Sequence, residues 1–305
     1  MKRIILFSLT FLLLVFLQCK KEEKKNEQVF AEDLVVTLGP KGKPVLDTFA
    51  VPEHLKDIVK TISYNNIYET EVRPKGDDEL PFYSEFLKLK SKASEKALLQ
   101  LTNNKNKVVA VYASTALIER NPKFAECTFQ KFVNTKDSVY IMNGCLVGYE
   151  NASDEIYWSY YYRLKPEQFA KDKTLQKLDS LTIYSKNSSE LLLSTALKNR
   201  RYPIPFNRRI QQLAFTEKRI PAMFYLSNWY KGIYSEKLQK EFKNVYLTDT
   251  IYTGRKLVYF TELLSFKNPA NKAFILQCLK EDSTLTDEFT VSSQLESNGV
   301  FPHEH

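Results

Sequence analysis

The sequence contains few of the residues on which most catalytic and metal sites depend. It has three histidines, His54, His303 and His305, in 305 residues. It has no His-Glu-x-x-His, Cys-x-x-Cys, Gly-x-Ser-x-Gly or glycine-rich phosphate-loop motif. His303 and His305 would offer a metal ion two ligands, fewer than the three or four of typical zinc sites. We therefore expect a protein that is not an enzyme, with no metal and no cofactor.

Glycine and cysteine are also scarce. Eight glycines and 12 prolines in the whole chain argue against an all-β fold with many tight turns. Apart from Cys19, the cysteines are Cys127, Cys145 and Cys278, too few for a small scaffold held together by disulfides. Two interpretations stay open for them: a disulfide between Cys127 and Cys145, or three buried thiols that act as small apolar residues.

The first 19 residues carry a targeting signal. Lys2 and Arg3 precede an apolar run over residues 4–17, which is short of the roughly 20 residues of a membrane-spanning helix and is typical of a secretory signal. The run ends at Val-Phe-Leu-Gln-Cys, residues 15–19, which resembles a bacterial lipoprotein signal. The resemblance implies a signal peptide over 1–18 and acyl chains such as palmitate on Cys19. It also implies attachment to a membrane of the Gram-negative cell envelope, with the outer membrane favoured.

A charged tether follows the cysteine over residues 19–30. Its Lys-Lys-Glu-Glu-Lys-Lys run is typical of a solvated, disordered segment. The Lys-Lys-Glu-Glu part also resembles an export signal of surface-exposed lipoproteins, so both the periplasm and the cell surface stay open. The formal net charge of +8 is mild and mixed with acidic residues. Because the chain is predicted to be exported, we expect no nucleic-acid partner.

The body of the chain divides into three regions. Residues 31–79 form a mixed segment, with a strand predicted over 34–38, a short helix over 52–59 and a linker over 73–79. From 80 to 281 apolar residues recur with a helical period of 3.6. Residues 282–305 are polar without a period, and we predict a disordered tail.

An internal similarity at an offset of 31 residues indicates a repeat. Residues 103–108 align with residues 134–139, and in both copies an Asn or Asp N-cap precedes an apolar segment. This pattern predicts helices from Asn106 and over 138–149. Residues 106–117, with Val109, Ala113, Ala116 and Leu117, resemble the second half of a HEAT repeat. The resemblance implies a mostly α fold, an α-solenoid or HEAT-like array over 80–281.

Two clusters are candidates for partner binding. The first is aromatic: Tyr157, Trp158, Tyr160 and Tyr161 would cover most of a helix circumference, so they form either core or an exposed platform. The second is basic and comprises Arg200, Arg201, Arg208 and Arg209. It is either an ordinary solvated surface or a patch for an anionic partner.

These features favour a membrane-anchored, non-catalytic scaffold that binds another envelope protein. One alternative is a lipoprotein that binds a glycan or small ligand through the aromatic cluster. A second alternative is an enzyme without a recognised motif, which would need a buried carboxylate or cysteine facing a cleft.

Overall fold

The computed structural model describes residues 39–72, 80–248, 253–282, 293, 295–297 and 299–300. These residues are mostly helical and include a three-stranded sheet, which confirms the mostly α fold. The chain forms two compact units, Met1–Leu164 and Lys165–His305. Cys19, the tether, the strand predicted over 34–38 and the linker predicted over 73–79 lie outside the described residues.

Unit 1 contains six α-helices and the sheet among its described residues. The helices are α1 (Lys56–Asn65), α2 (Pro81–Lys92), α3 (Glu95–Leu101), α4 (Lys107–Arg120), α5 (Ala125–Phe132) and α6 (Ala152–Tyr161). The strands are β1 (Ile67–Glu69), β2 (Ser138–Asn143) and β3 (Leu146–Asn151). Short 3-10 turns at Glu53–Leu55 and Pro122–Phe124 precede α1 and α5. The first of these turns and α1 confirm the helix predicted over 52–59.

Helix α4 is the centre of unit 1. Every residue from Val108 to Ile118 is buried, as expected of a helix that is apolar on all sides. It packs against α1, α2, α3, α6 and the strands β1 and β2. The Asn106 side chain accepts a hydrogen bond from the Val109 amide, which confirms the predicted N-cap.

The helix predicted over 138–149 is wrong. This segment is an antiparallel hairpin in which β2 pairs with β3, with Tyr140 opposite Tyr149. A two-residue loop begins at Gly144, whose φ of +61° is in the left-handed region that favours glycine. The apolar residues Val139, Tyr140 and Ile141 are rich in β-forming side chains, and an apolar run this short fits either a strand or a helix. The second copy of the internal repeat is therefore not a helix.

Strand β1 connects to the rest of unit 1 through the sheet and through a contact with α2. Strand β1 runs parallel to β2, with Tyr68 opposite Ile141. The Glu69 carboxylate accepts hydrogen bonds from the Phe82 and Tyr83 amides, both at 2.8 Å. These amides belong to the first turn of α2, where a negative charge is favourable.

Glu155, in the first turn of α6, has a raised pKa. Burial raises its pKa from the ordinary 4.5 to about 7, and the neighbouring carboxylates of Asp154 and Glu150 add to the increase. Asp154 is itself 1% exposed. A raised pKa means that the folded protein favours the neutral, protonated form of this side chain.

Unit 2 is helical in the part that the structure describes. Its helices are α7 (Lys173–Tyr184), α8 (Glu190–Lys198), α9 (Ile204–Phe215), α10 (Ile220–Thr248), α11 (Thr253–Leu264) and α12 (Pro269–Glu281), after a 3-10 turn at Pro166–Gln168. Helix α7 packs on α8, α8 and α9 on α10, α10 on α11, and α11 on α12. Asp172, Ser189 and Asn268 cap α7, α8 and α12 through their side chains.

The core of unit 2 includes two residues from the region predicted as a disordered tail. Leu295 is 1% exposed and Val300 is fully buried, and both join the cluster around Phe242 and Phe260. Most other residues after Asp282 lie outside the described ranges. Two isolated apolar residues give no periodic signal, so the sequence did not indicate that they pack into a core.

Candidate functional site

The four arginines of the basic stretch have different environments in unit 2. Arg200 forms an ion pair with Asp179, whose carboxylate is fully buried, and donates a hydrogen bond to the Phe169 carbonyl at 2.9 Å. The Asn199 side chain donates to both oxygens of the same carboxylate at 3.1 Å. A buried carboxylate needs such a partner, so Arg200 supports the fold of this unit.

Arg209 is also part of the interior and is 9% exposed. Its Nε donates to the Ile183 carbonyl at 2.9 Å, and its guanidinium pairs with Glu217. The sequence contains a signal for this burial: Arg209 lies three residues after Phe206 and four residues before the buried Leu213, so the three share one helical face.

Burial near this ion pair also affects a tyrosine. Burial raises the pKa of Tyr202 well above its usual 10.0, and the Asp179 carboxylate raises it further. The Tyr202 hydroxyl donates a hydrogen bond to the Ala196 carbonyl at 2.5 Å. Tyr202 therefore stays neutral and acts as a hydrogen-bond donor inside the unit.

Arg201 and Arg208 are exposed. The Arg201 guanidinium carbon lies 5.5 Å from the Trp229 ring centroid and 5.1 Å from the Tyr230 ring centroid. Both distances are within the roughly 6 Å range of a cation–π interaction. Two aromatic rings therefore hold the Arg201 side chain at the surface of unit 2.

Exposed apolar side chains occur close in sequence to these three residues. Ile204 is 82% exposed, Ile233 is 73% exposed and Trp229 is 42% exposed. Ile204 begins α9, directly after the loop that carries Arg201, and Ile233 follows Trp229 on α10. We call the set Arg201, Ile204, Trp229, Tyr230 and Ile233 the Arg201 surface. Exposed large apolar side chains and arginines held by aromatic rings are both common in binding surfaces.

A bend interrupts α10 next to Trp229. The backbone leaves helical geometry at Tyr230 (φ −139°, ψ 23°) and at Tyr234 (φ −113°, ψ 18°), on either side of Gly232. The helical period from the buried Leu226 would place Tyr230 and Ile233 on the inner face; Tyr230 does pack against the core, whereas Ile233 is exposed. Sequence reasoning therefore missed Trp229, Tyr230, Ile204 and Ile233. The helix-interior Gly232 is the signal that could have indicated the bend.

The aromatic cluster of unit 1 is divided between core and surface. Tyr157 is fully buried, Tyr160 is 6% exposed, and Trp158 and Tyr161 are half-buried. The Trp158 ring stacks on the ring of Tyr162, with centroids 5.6 Å apart and planes at 25°. Tyr162 is 76% exposed. One stacked pair of rings at the end of α6 thus borders solvent.

The three described cysteines are free thiols in the structure. Cys127 and Cys145 are exposed, and no disulfide joins them. Cys278 is buried, and burial raises the pKa of its thiol. No group of three or more His, Cys, Asp and Glu side chains within the described ranges is arranged to hold a metal ion.

Comparison with known proteins gives no relative for this chain. No protein-family model, curated protein or solved structure matches it. No helix in the part of the chain that the structure describes is long and apolar enough to cross a membrane. The candidate site must therefore be interpreted from its own geometry.

Proposed function

We propose that this chain is a lipid-anchored, non-catalytic interaction protein of the Gram-negative cell envelope, and that it binds a protein partner through the Arg201 surface. The observation that carries the proposal is the exposed Arg201 guanidinium held by Trp229 and Tyr230. Arginine and tryptophan are enriched among residues that dominate binding energy. Because the two rings already position the guanidinium, less side-chain entropy is lost when a partner binds.

The chemistry of the surface specifies the partner. Arg201 forms no hydrogen bond or ion pair with any described residue, so its N–H donors are available to a carboxylate. Ile204 and Ile233, close in sequence to Arg201 and Trp229, offer exposed apolar contact area. A matching partner segment therefore carries an acidic side chain next to aliphatic or aromatic residues.

The membrane attachment is supported by the sequence. The apolar run over 4–17 ends at Cys19, and the charged run over 20–27 follows directly. Lipid on Cys19 would hold both units at an envelope membrane, where the partner is also present. Two or more acyl chains give stable anchoring, whereas one chain binds reversibly.

We also propose that the helices of unit 2 form a short HEAT-like array. The support is the packing order, in which most helices contact the next helix along the chain and α8 also contacts α10. Helical repeats present extended binding surfaces because each repeat contacts mainly its neighbours. The β2–β3 hairpin interrupts any such array in unit 1, so the proposal is limited to unit 2.

Site-specific photocrosslinking in living cells tests the function. A benzophenone amino acid replaces Ile233 at the Arg201 surface, and a matched control replaces Leu247, which is 65% exposed near the end of the same helix. We expect one discrete ultraviolet-dependent adduct with an envelope protein at position 233 and none at 247. The Cys19→Ala variant should lose the adduct because the chain no longer reaches the membrane. No adduct at 233, or the same adduct at both positions, would contradict the proposal.

A second candidate function is binding of a glycan at the Trp158–Tyr162 ring pair. The exposed stack at the end of α6 favours it, since sugars pack their apolar faces on aromatic rings. The chain has two tryptophans, so Trp229→Phe leaves Trp158 as the fluorescent reporter. Binding of soluble peptidoglycan fragments should change this fluorescence, and Tyr162→Ala should abolish the change. Unchanged fluorescence throughout the titration would remove this candidate.

A further inference from the structure

Unit 1 contains a cationic cavity that the function proposed above does not use. The cavity has a volume of about 180 Å³ and lies where α4 begins, beside the β2–β3 hairpin. Four lysines line it, and we call it the lysine pocket: Lys41, Lys43, Lys105 and Lys107. A cavity of this size holds much more than one water molecule, whose share of liquid volume is about 30 Å³.

Positive charge exceeds negative charge around the lysine pocket. Lys107 pairs with Asp137 at 2.9 Å. Lys41, Lys43 and Lys105 form no ion pair with a residue that the structure describes. The Asp47 carboxylate also accepts a hydrogen bond from the Lys105 amide, at 3.1 Å. Three of the four lining lysines therefore carry no ion pair among the described residues, and an anionic ligand would neutralise part of their charge.

The rest of the lining offers hydrogen bonds to an anion. Ser138, Tyr140 and Tyr149, which are residues with hydroxyl groups, are also part of the lining. The amides of Lys107 and Val108, in the first turn of α4, have no hydrogen-bond partner among the described residues. Unpaired amides and the positive end of the helix dipole both favour an anion at this position.

The backbone around the pocket is held in place before any ligand binds. The Asn106 side-chain amide donates to the Val45 carbonyl and to Asn66 Oδ1, both at 3.1 Å. The Lys41 amide donates to the Tyr149 hydroxyl. These contacts fix the segment that bears Lys41 and Lys43 against α4 and β3. A site that is already formed loses less entropy when a ligand binds.

We propose that the lysine pocket binds a phosphate group. Ammonium groups act as compact point charges and are common phosphate ligands, whereas planar carboxylates are matched better by the fork of arginine, and no arginine lines this cavity. The phosphate belongs either to a small soluble ester or to a phosphorylated lipid headgroup. The pocket and the Arg201 surface lie in different units, so one proposal can fail without the other.

Calorimetric titration with two probes tests the site and separates the two sources. The protein is the full-length Cys19→Ala chain, which carries no lipid of its own. The probes are glycerol 3-phosphate and the water-soluble dihexanoyl phosphatidic acid. The pocket variant is Lys43→Gln with Lys105→Gln. The matched control is Lys96→Gln with Lys123→Gln, two exposed lysines of unit 1 outside the pocket.

We expect the pocket variant to bind at least tenfold more weakly than the parent chain and the control variant to bind as the parent does. Equal affinity for both probes identifies a soluble ester as a sufficient ligand, and binding of phosphatidic acid alone identifies a lipid headgroup. The proposal is overturned if neither probe binds at millimolar concentration, or if both variants lose the same affinity. Circular dichroism of both variants shows whether a loss of binding comes from a loss of fold.

Discussion

The buried ion pair between Asp179 and Arg200 provides a direct test of how unit 2 is held together. Arg200→Ala would leave the carboxylate of Asp179, which is fully buried, without its cation. Removing one partner of a buried pair costs about 3–5 kcal/mol. Asn199 would still donate two hydrogen bonds to that carboxylate, so we expect a loss near the lower end, about 3 kcal/mol. This is a large fraction of the roughly 5–15 kcal/mol that stabilises a typical domain.

Urea unfolding monitored by tryptophan fluorescence measures this loss of stability in unit 2. Trp229 lies in unit 2 and Trp158 in unit 1, so a Trp158→Phe background leaves Trp229 as the reporter. The matched control is Arg208→Ala, because Arg208 is exposed and forms no ion pair with a described residue. We expect this control to change the free energy of unfolding by less than about 0.5 kcal/mol. A change below about 1 kcal/mol for Arg200→Ala would refute the structural role of the pair.

Three further predictions concern unit 1 and use Trp158 fluorescence in a Trp229→Phe background. Because burial raises the pKa of Glu155 to about 7, the folded state binds its proton more tightly than the unfolded state does. The contribution of Glu155 to the free energy of unfolding should therefore fall as pH rises from 4.5 to 7, by up to about 3 kcal/mol. Glu155→Gln should remove this contribution, and a pH dependence that is the same in the parent and the variant would contradict the burial argument. Asn106→Ala removes the N-cap of α4 and two hydrogen bonds, and should cost about 1–3 kcal/mol in urea unfolding; a cost below about 0.5 kcal/mol would show that the cap is unimportant. Gly144→Ala places a side chain at a positive φ and within 3.2 Å of Val72, so it should destabilise the folded state by about 1 kcal/mol or more. The control Gly148→Ala has open space around the added methyl group and should have a smaller effect. Equal effects of the two substitutions would contradict this explanation.

Local sequence signals predicted part of the fold well. The helix from Asn106 could be predicted because an N-cap residue precedes a long apolar run, and the structure places that helix at the centre of unit 1. The segment over 138–149 shares the same local start, but its apolar run is short and Gly144 permits a tight turn. The first half of this segment, β2, also pairs with β1, which is about 70 residues earlier in the chain, and this pairing favours a strand. Such pairing depends on contacts that neighbouring residues do not reveal.

The candidate sites also depend on contacts between residues that are distant in sequence. Arg200 and Arg201 are adjacent in sequence, yet one is bonded to the buried Asp179 and the other lies over Trp229. Composition cannot separate them, because the difference depends on residues about 20 to 30 positions away. The lysine pocket joins Lys41 to Tyr149, more than 100 positions apart, so neither residue suggested a site alone.

A charge-reversal experiment at the Arg201 surface tests the central proposal most directly. Crosslinking from position 233 is measured in living cells for Arg201→Glu and for Arg208→Glu, which make the same charge change at two exposed arginines of unit 2. We expect Arg201→Glu to abolish the adduct, because its carboxylate would repel the acidic side chain of the partner, and Arg208→Glu to retain it. An adduct that survives both substitutions, or is lost equally in both, would contradict the account.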